Sequence, residues 1–315
     1  MQKNEGGVFV DQIVKAIVDF TNWLWGPPLM IILAGGGLFL TIRLGFFQFR
    51  HLFYMWGQTF GQMMKKPEDP NAISPFQAAT AAIASTIGAA NIVGVPVAIA
   101  FGGPGAVFWM WISALIGMAT AYGETYLGVR YRFKNNRGKW ICGPLCLYEK
   151  KGWVSLFMAA CYSFFCFLCA LGMGSMVQAN SAAETLEFTW GIPSVLGSGI
   201  LALLTGAVIL GGIKRIGKAA EYLLPLASGI YILFSLLVLL LCADRIPDAF
   251  LRIFQSAFGI RQVSGGIAGF GISKSIRYGI SRGVFSNEAG LGTLAVLHGP
   301  AEHTTPEEQG MWAMF

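Results

Sequence analysis

A polytopic all-α membrane protein is the fold class that this 315-residue sequence predicts, and three observations predict it. Hydrophobic residues make up 55% of the chain and charged residues 12%, against roughly 25% charged in soluble domains. Glycine is abundant, at 41 residues, which suits helices crowded together in a bilayer. Apolar stretches long enough to cross a membrane recur along the chain, separated by basic or glycine- and proline-rich connections. Cytoplasmic loops then account for the net charge of +6 before nucleic acid need be invoked. Residues 1–11 are polar and acidic, without the basic start and cleavage site of a secretory signal.

Residues 1–27 are expected to form an interfacial amphipathic segment. Phe9, Ile13, Ile17, Phe20 and Leu24 alternate with Asp11, Lys15, Asp19 and Asn22 at helical spacing, and Trp23 and Trp25 sit where headgroups would be. Gly26-Pro27-Pro28 ends that helix. A membrane domain follows over 28–315, with about seven spans and the start of an eighth. The first, 29–49, is interrupted by Gly35-Gly36-Gly37 and carries Arg43 near its far end. Residues 50–75 are a polar connection with Arg50, Lys65, Lys66, Pro67, Pro70 and Pro75. The second span covers 80–100, and after the turn Gly102-Gly103-Pro104-Gly105 the third runs over 106–131. The fourth, fifth and sixth take 154–183, 192–210 and 219–242. Residues 245–260, with Phe250, Ile253, Phe254 and Phe258 on one side, read as a second interfacial helix, and the next apolar element is 279–299.

The second span, TAAIASTIGAANIVGVPVAIA, holds Gly88-Ala89-Ala90 and Asn91 at its centre and Pro96 beyond. One reading is a helix that unwinds at mid-depth and offers bare carbonyls and amides to a small polar ligand. The other is close packing of two helices through small residues. Asn91 favours the first, because an amide inside a membrane is expensive and usually functional. Residues 286–292, Ser286-Asn287-Glu288-Ala289-Gly290-Leu291-Gly292, make a second such break between apolar shoulders. Two broken helices five spans apart suggest the openings of two repeats. Half-helix N-termini would then face an anionic group and carbonyls a cation. An amino acid meets both demands; an inorganic ion would also suit, and a passive channel built from the same small residues is the rival reading.

Lys and Arg flanking the spans set the orientation. Fourteen stand after spans one, three and five, seven of them Arg130, Arg132, Lys134, Arg137, Lys139, Lys150 and Lys151. Five, Lys3, Lys15, Arg245, Arg252 and Arg261, stand on the other side. The positive-inside rule puts the fourteen in the cytoplasm of a multi-pass plasma (inner) membrane protein and the N-terminus outside.

Other polar residues have two readings each. Gln178 in the fourth span could hold an amino acid's carboxylate or amine, or bond a neighbouring helix. Glu124 is expected to snorkel toward Arg130 and Arg132, a structural role favoured over proton coupling. Glu288 in the second break would hold unwound backbone or, less directly implied, help neutralise a bound cation. Cys161, Cys166, Cys169 and Cys242 lie in apolar spans as small hydrophobes, and Cys142 and Cys146 lie near the reducing side. His51, His298 and His303 lack metal spacing. Phe108, Trp109 and Trp111 read as packing or interface anchors. Without a Ser-His pair, metal-spaced histidines or paired carboxylates in one segment, no enzyme is expected and no cofactor.

The segments SPFQAATAAIASTIGAANIVGVPVAIAFGGPGAVFWMW, GMGSMVQANS and RGVFSNEAGLGTLAVLHGPAE closely resemble the alanine or glycine:cation symporter family. That resemblance implies sodium-coupled uptake of alanine or glycine on a five-plus-five inverted-repeat fold like that of neurotransmitter:sodium symporters, with the first helix outside the repeats. It further implies that the carbonyls of Ala84 and Ile87 face one sodium position and Thr86 and Asn91 a second. Ser85, Gly88, Ala89 and Ala90 would line the substrate, with Asn91, Gln178, Ser286 and Asn287 completing the site. The chain departs from the family's G-T-G-N by reading Gly88-Ala89-Ala90-Asn91. One hydroxyl is missing, a hydrogen bond worth about 0.5 to 1.5 kcal/mol, and the Ala90 methyl narrows the pocket. The family pattern also continues for four helices beyond Phe315, so the resemblance implies a second repeat cut short and a fragment that would transport nothing by itself.

Overall fold

The computed structural model describes residues 5–59, 61, 73–136, 138–150, 152–259 and 265–315. Lys3, Lys65, Lys66, Pro67, Pro70, Arg137, Lys151 and Arg261 lie outside the described residues, as do the side chains of Phe9, Ala89, Ala90, Lys214 and Lys218. The helices are α1 (Glu5–Leu24), α2 (Pro27–Arg43), α3 (Phe47–Arg50), α4 (Leu52–Thr59), α5 (Pro75–Thr86), α6 (Ala89–Ile92), α7 (Gly94–Gly102) and α8 (Gly105–Arg130). A hairpin of β1 (Phe133–Lys134) and β2 (Trp140–Ile141) and a 3-10 turn lead into α9 (Trp153–Cys169). Then come α10 (Gln178–Trp190), α11 (Ser194–Ile209), α12 (Gly212–Leu241), α13 (Ile246–Ala257), α14 (Gly265–Asn287), α15 (Thr293–His298) and α16 (Pro306–Met314).

Among the described residues three helical stretches are long and apolar enough to cross a membrane: Asp11–Arg43, Gly105–Arg130 and Trp153–Trp190. Pro225–Leu241 with Ala243–Ala257, bent by 75°, makes a fourth if taken as one span. The first broken helix falls short of that length because it is split, α5 reaching only 12 residues. The chain is thus a helical protein with several apolar helices of membrane length.

Several sequence boundaries shift. Gly35-Gly36-Gly37 does not interrupt α2, whose Gly37 lies against Ile116 and Thr120 of α8. The first span stops at Arg43, six residues early, because Gly45 and Phe46 turn left-handed (φ 62° and 58°). The fourth runs on to Trp190, its α-helices α9 and α10 joined by a π-helical stretch, Ala170–Val177. The sixth starts at Gly212 and carries Pro225 inside it. The aromatic residues of α13 and its C-cap reach α8, with Phe254 and Phe258 against Phe108 and Phe250 against Trp111.

Helix α8 is the hub, packed by α2, α7, α13, α14, α15 and α16. Small residues let these backbones approach it, as in membrane bundles generally. Gly128 faces Ala295 of α15, Gly105 faces the end of α13, and Gly279 and Gly283 of α14 face Ala106 and Ser113. The broken helices run antiparallel. The end of α7 meets the early part of α14, where the Ser275 hydroxyl donates to the Gly102 carbonyl at 2.5 Å. At the other end, Ala82 of α5 packs with Ala289 and Leu294 beside α15.

That other end is also the basic one. Arg132 and Lys134 lie over the Trp140 ring at 4.3 and 4.6 Å, and Arg132 donates to the carbonyls of Gly299 and Ala301. Glu302 accepts from Trp140 Nε1 at 2.7 Å and pairs with Lys134 at 3.3 Å, and these two bonds hold its carboxyl below the ordinary range. Burial pushes the Cys142 thiol up to about 11, so it stays protonated.

A methyl at Gly279 would stand 2.5 Å from the Ala106 carbonyl oxygen, whereas nothing lies within 4 Å of one at Gly35. Gly279→Ala is expected to destabilise the bundle by about 1–3 kcal/mol through overpacking. Gly35→Ala should leave it unchanged or raise stability by up to about 1 kcal/mol through helix propensity. Thermal unfolding of both variants in detergent measures the contrast.

Candidate functional site

The first break begins with a firmly started helix. Ser74 and Gln77 form a reciprocal capping box on α5, which satisfies two of its otherwise unpaired first amides. The helix ends at Thr86, and Ile87 turns extended (ψ 113°). The interruption therefore falls at Ile87-Gly88, slightly before the expected 88–91, and Ala89–Ile92 is already helical. A helix's last carbonyls have no amide in a following turn, and here these belong to residues 84–87, the expected cation ligands Ala84 and Ile87 included. The Asn91 amide spans the gap: Nδ2 donates to the Thr86 carbonyl at 3.2 Å, and the Asn91 backbone N–H donates to the Gly88 carbonyl at 3.0 Å.

The two breaks meet at Asn91. Its Oδ1 accepts from the Ser286 hydroxyl of α14 at 2.7 Å. Ser286 and Asn287 close α14 as its last helical residues, so the second interruption is confined to 288–292. Beside this contact opens a cavity of about 520 Å³ whose wall includes Thr86, Ser286, Asn287 and Ala289. Gln178, at the start of α10, reaches over Gly88: a methyl there would lie 2.6 Å from its Nε2 and 3.0 Å from its Oε1. The structure thus brings together Thr86, Gly88, Asn91, Gln178, Ser286 and Asn287. Ser85 is exposed and outside the cavity wall. The hydroxyls of Ser85 and Thr86 donate to the carbonyls of Ala82 and Ile83 at 2.9 and 3.1 Å, leaving their oxygen lone pairs for another partner.

The second break is held from outside itself. Glu288, Gly290 and Gly292 are all left-handed (φ 53°, 91° and 85°), which costs little at glycine and more at glutamate. Glu124 does not snorkel toward Arg130 and Arg132 as expected. From α8 its carboxylate accepts from the Gly290 amide at 2.9 Å and the Ala295 amide at 3.3 Å. Its oxygens thus meet backbone amides both inside the break and in the first turn of α15. Glu288 is 7% exposed and accepts from the Thr293 hydroxyl at 2.9 Å. Tyr162 of α9 donates to the Gly292 carbonyl at 2.9 Å. Sequence reading missed Tyr162 and Thr293. A tyrosine inside an apolar helix, whose hydroxyl must find a partner, was the available signal for the first.

Among the described residues no group of three His, Cys, Asp or Glu could hold a metal ion. His298 is buried against Gln309 instead, Nδ1 to Nε2 at 2.7 Å.

The chain is 42% identical to an uncharacterized transporter of Bacillus subtilis, YflA, over 97% of its own length and 64% of that protein. It is 39% identical to the sodium/alanine symporter AgcS of Methanococcus maripaludis, over 96% of the chain and 66% of the relative. To the probable sodium/glutamine symporter GlnT of Bacillus subtilis it is 34% identical over 97% and 63%. It spans a little under two-thirds of the length of these relatives. The family model for sodium:alanine symporters, a transporter family, matches residues 10–315. Two broken helices joined at Asn91, together with that match, place this chain in the sodium:alanine symporter family.

Proposed function

We propose that the protein containing this chain carries a small neutral amino acid, alanine or glycine, into the cell together with sodium. The observation that carries this reading is the bond between Asn91 and Ser286, which puts two interrupted helices at one level beside a cavity and under Gln178. Their antiparallel course supports an inverted-repeat fold of five plus five helices, with the spans beyond α2 supplying the first repeat. The clustering of Arg130, Arg132 and Lys134 at one end supports a cytoplasmic location for that end. The N-terminus then lies outside, and α1 at the outer surface of the plasma membrane.

Sodium would take the carbonyls of Ala84 and Ile87, with Thr86 and Asn91 facing a second cation position. Its charge then favours the substrate carboxylate, and Gln178 supplies a donor and an acceptor for the zwitterion. Ala89 and Ala90 would face the substrate side chain. Glu124 and Tyr162 hold the second break in place while gates open alternately around the site. The membrane potential contributes about 2.3 kcal/mol per charge per 100 mV.

In the intact protein reconstituted in vesicles, alanine uptake should be concentrative, saturable and sodium-dependent; an unsaturable ion current would instead show a channel. Gln178→Ala should raise the KM for alanine about 2- to 12-fold, the loss of one hydrogen bond. Ala89→Thr restores the family hydroxyl and should change the ratio of alanine to glycine uptake; an unchanged ratio sinks that assignment. Glu124→Gln removes a charged acceptor from two amides and should lower uptake about 5- to 100-fold. Glu288→Gln keeps an acceptor for Thr293, so its sodium dependence should match the parent's, and a higher sodium requirement would place Glu288 at the cation.

A further inference from the structure

Helix α14 carries two arginines, Arg277 and Arg282, that the transport site does not use. With Asn22 and Trp25 from the α1–α2 junction, and with Ser281 and Phe285, they line an open cavity of about 300 Å³. Arg277 Nη2 donates to the Asn22 carbonyl at 3.1 Å. The Arg282 guanidinium lies 5.9 Å from the Phe285 ring, which Trp25 meets edge-on at 6.1 Å. Among the described residues the ion pairs are Lys134 with Glu302, Arg245 with Asp244 and Arg252 with Asp248. Asp19, one turn before Asn22, therefore pairs with neither arginine, and two cationic groups share one cavity without a carboxylate.

Depth narrows the choice of anion. Arg277 and Arg282 stand ten and five residues before Asn287, about 15 Å and about 7 Å along the helix. With the breaks at the membrane midplane, as the transport reading has them, Arg277 reaches the edge of a hydrocarbon layer whose half-thickness is about 15 Å. Arg282 stands one to two turns deeper on the same cavity wall. An arginine fork matches phosphate oxygens with two parallel bonds, and Ser281 adds a hydroxyl donor. A cavity open to the side, between an outer helix and α14, suits a molecule whose remainder is acyl chain.

We propose that this cavity binds the phosphate headgroup of an anionic phospholipid, wedged between the α1–α2 junction and α14. The inference rests on the transport reading for its depth, and its readout is bound lipid, not uptake. Failure of sodium-driven transport would therefore leave a positive lipid result standing, and the reverse also holds.

Native mass spectrometry of the detergent-purified protein, incubated with phosphatidylglycerol or phosphatidylcholine, tests it. The parent should retain one more phosphatidylglycerol than R277Q/R282Q, with occupancy of that lipid falling at least tenfold in the double variant. Phosphatidylcholine retention should be equal in the two. R277K/R282K, which keeps the charge and loses the fork, should fall between them, and R252Q should match the parent. Should the double variant fail to fold, R282Q alone, which keeps the Arg277 bond to Asn22, should still lower retention. Equal phosphatidylglycerol retention in parent and R282Q overturns the proposal. So does binding of inorganic phosphate that blocks the cavity while the lipid shows no preference for it.

Discussion

A backbone interrupted inside a membrane must find its hydrogen bonds among neighbouring side chains, because no water is there to supply them. The rest of this structure answers to that constraint. Asn91 closes the first gap by donating to Thr86, and its remaining oxygen reaches across to Ser286. Glu124 and Tyr162 close the second by meeting, from two different helices, the amides and a carbonyl that residues 288–295 leave bare. Each gap is thus bridged partly from elsewhere in the bundle. Moving a helix that carries one of these side chains changes the cost of keeping a gap open.

Such reach across the bundle demands that helices lie close, and α8 provides for it. Glycine, alanine and serine along α8 and on the faces turned to it bring backbones near enough for a glutamate on one to meet amides on the other. Larger residues there would add apolar burial, yet hydrophobic burial between helices gains little where the surrounding lipid is equally apolar. Packing and hydrogen bonding take its place. The outer helices are built the other way: α11 and α12 display Leu203, Leu210, Leu240 and Leu241 on their exposed surfaces.

Both breaks were legible from local chemistry. Small residues followed by Asn91, and the glycine-rich run after Asn287, weaken a helix wherever they occur, so composition within a short window suffices to find them. Glu124 was misread for the converse reason. Its own neighbours, Arg130 and Arg132 about two turns away, suggested a snorkelling carboxylate, whereas its partners Gly290 and Ala295 are about 170 positions distant in the chain. Gly35-Gly36-Gly37 was misread as well: a glycine run reads as a breaker by propensity, yet α2 continues through it and only Gly37 meets the facing α8.

The sequence by itself determined the membrane class, the two interruptions, the polar residues beside them and the family, because each depends on residue types within one segment or on motif matches. Only the tertiary structure decided which side chain closes which gap, that Gln178 lies over Gly88, and that Arg277 and Arg282 share a cavity with Trp25. Those are distances between segments far apart in the chain. They follow from how helices dock, and docking depends on close approach at Gly105, Gly128 and Gly279, which no local pattern specifies.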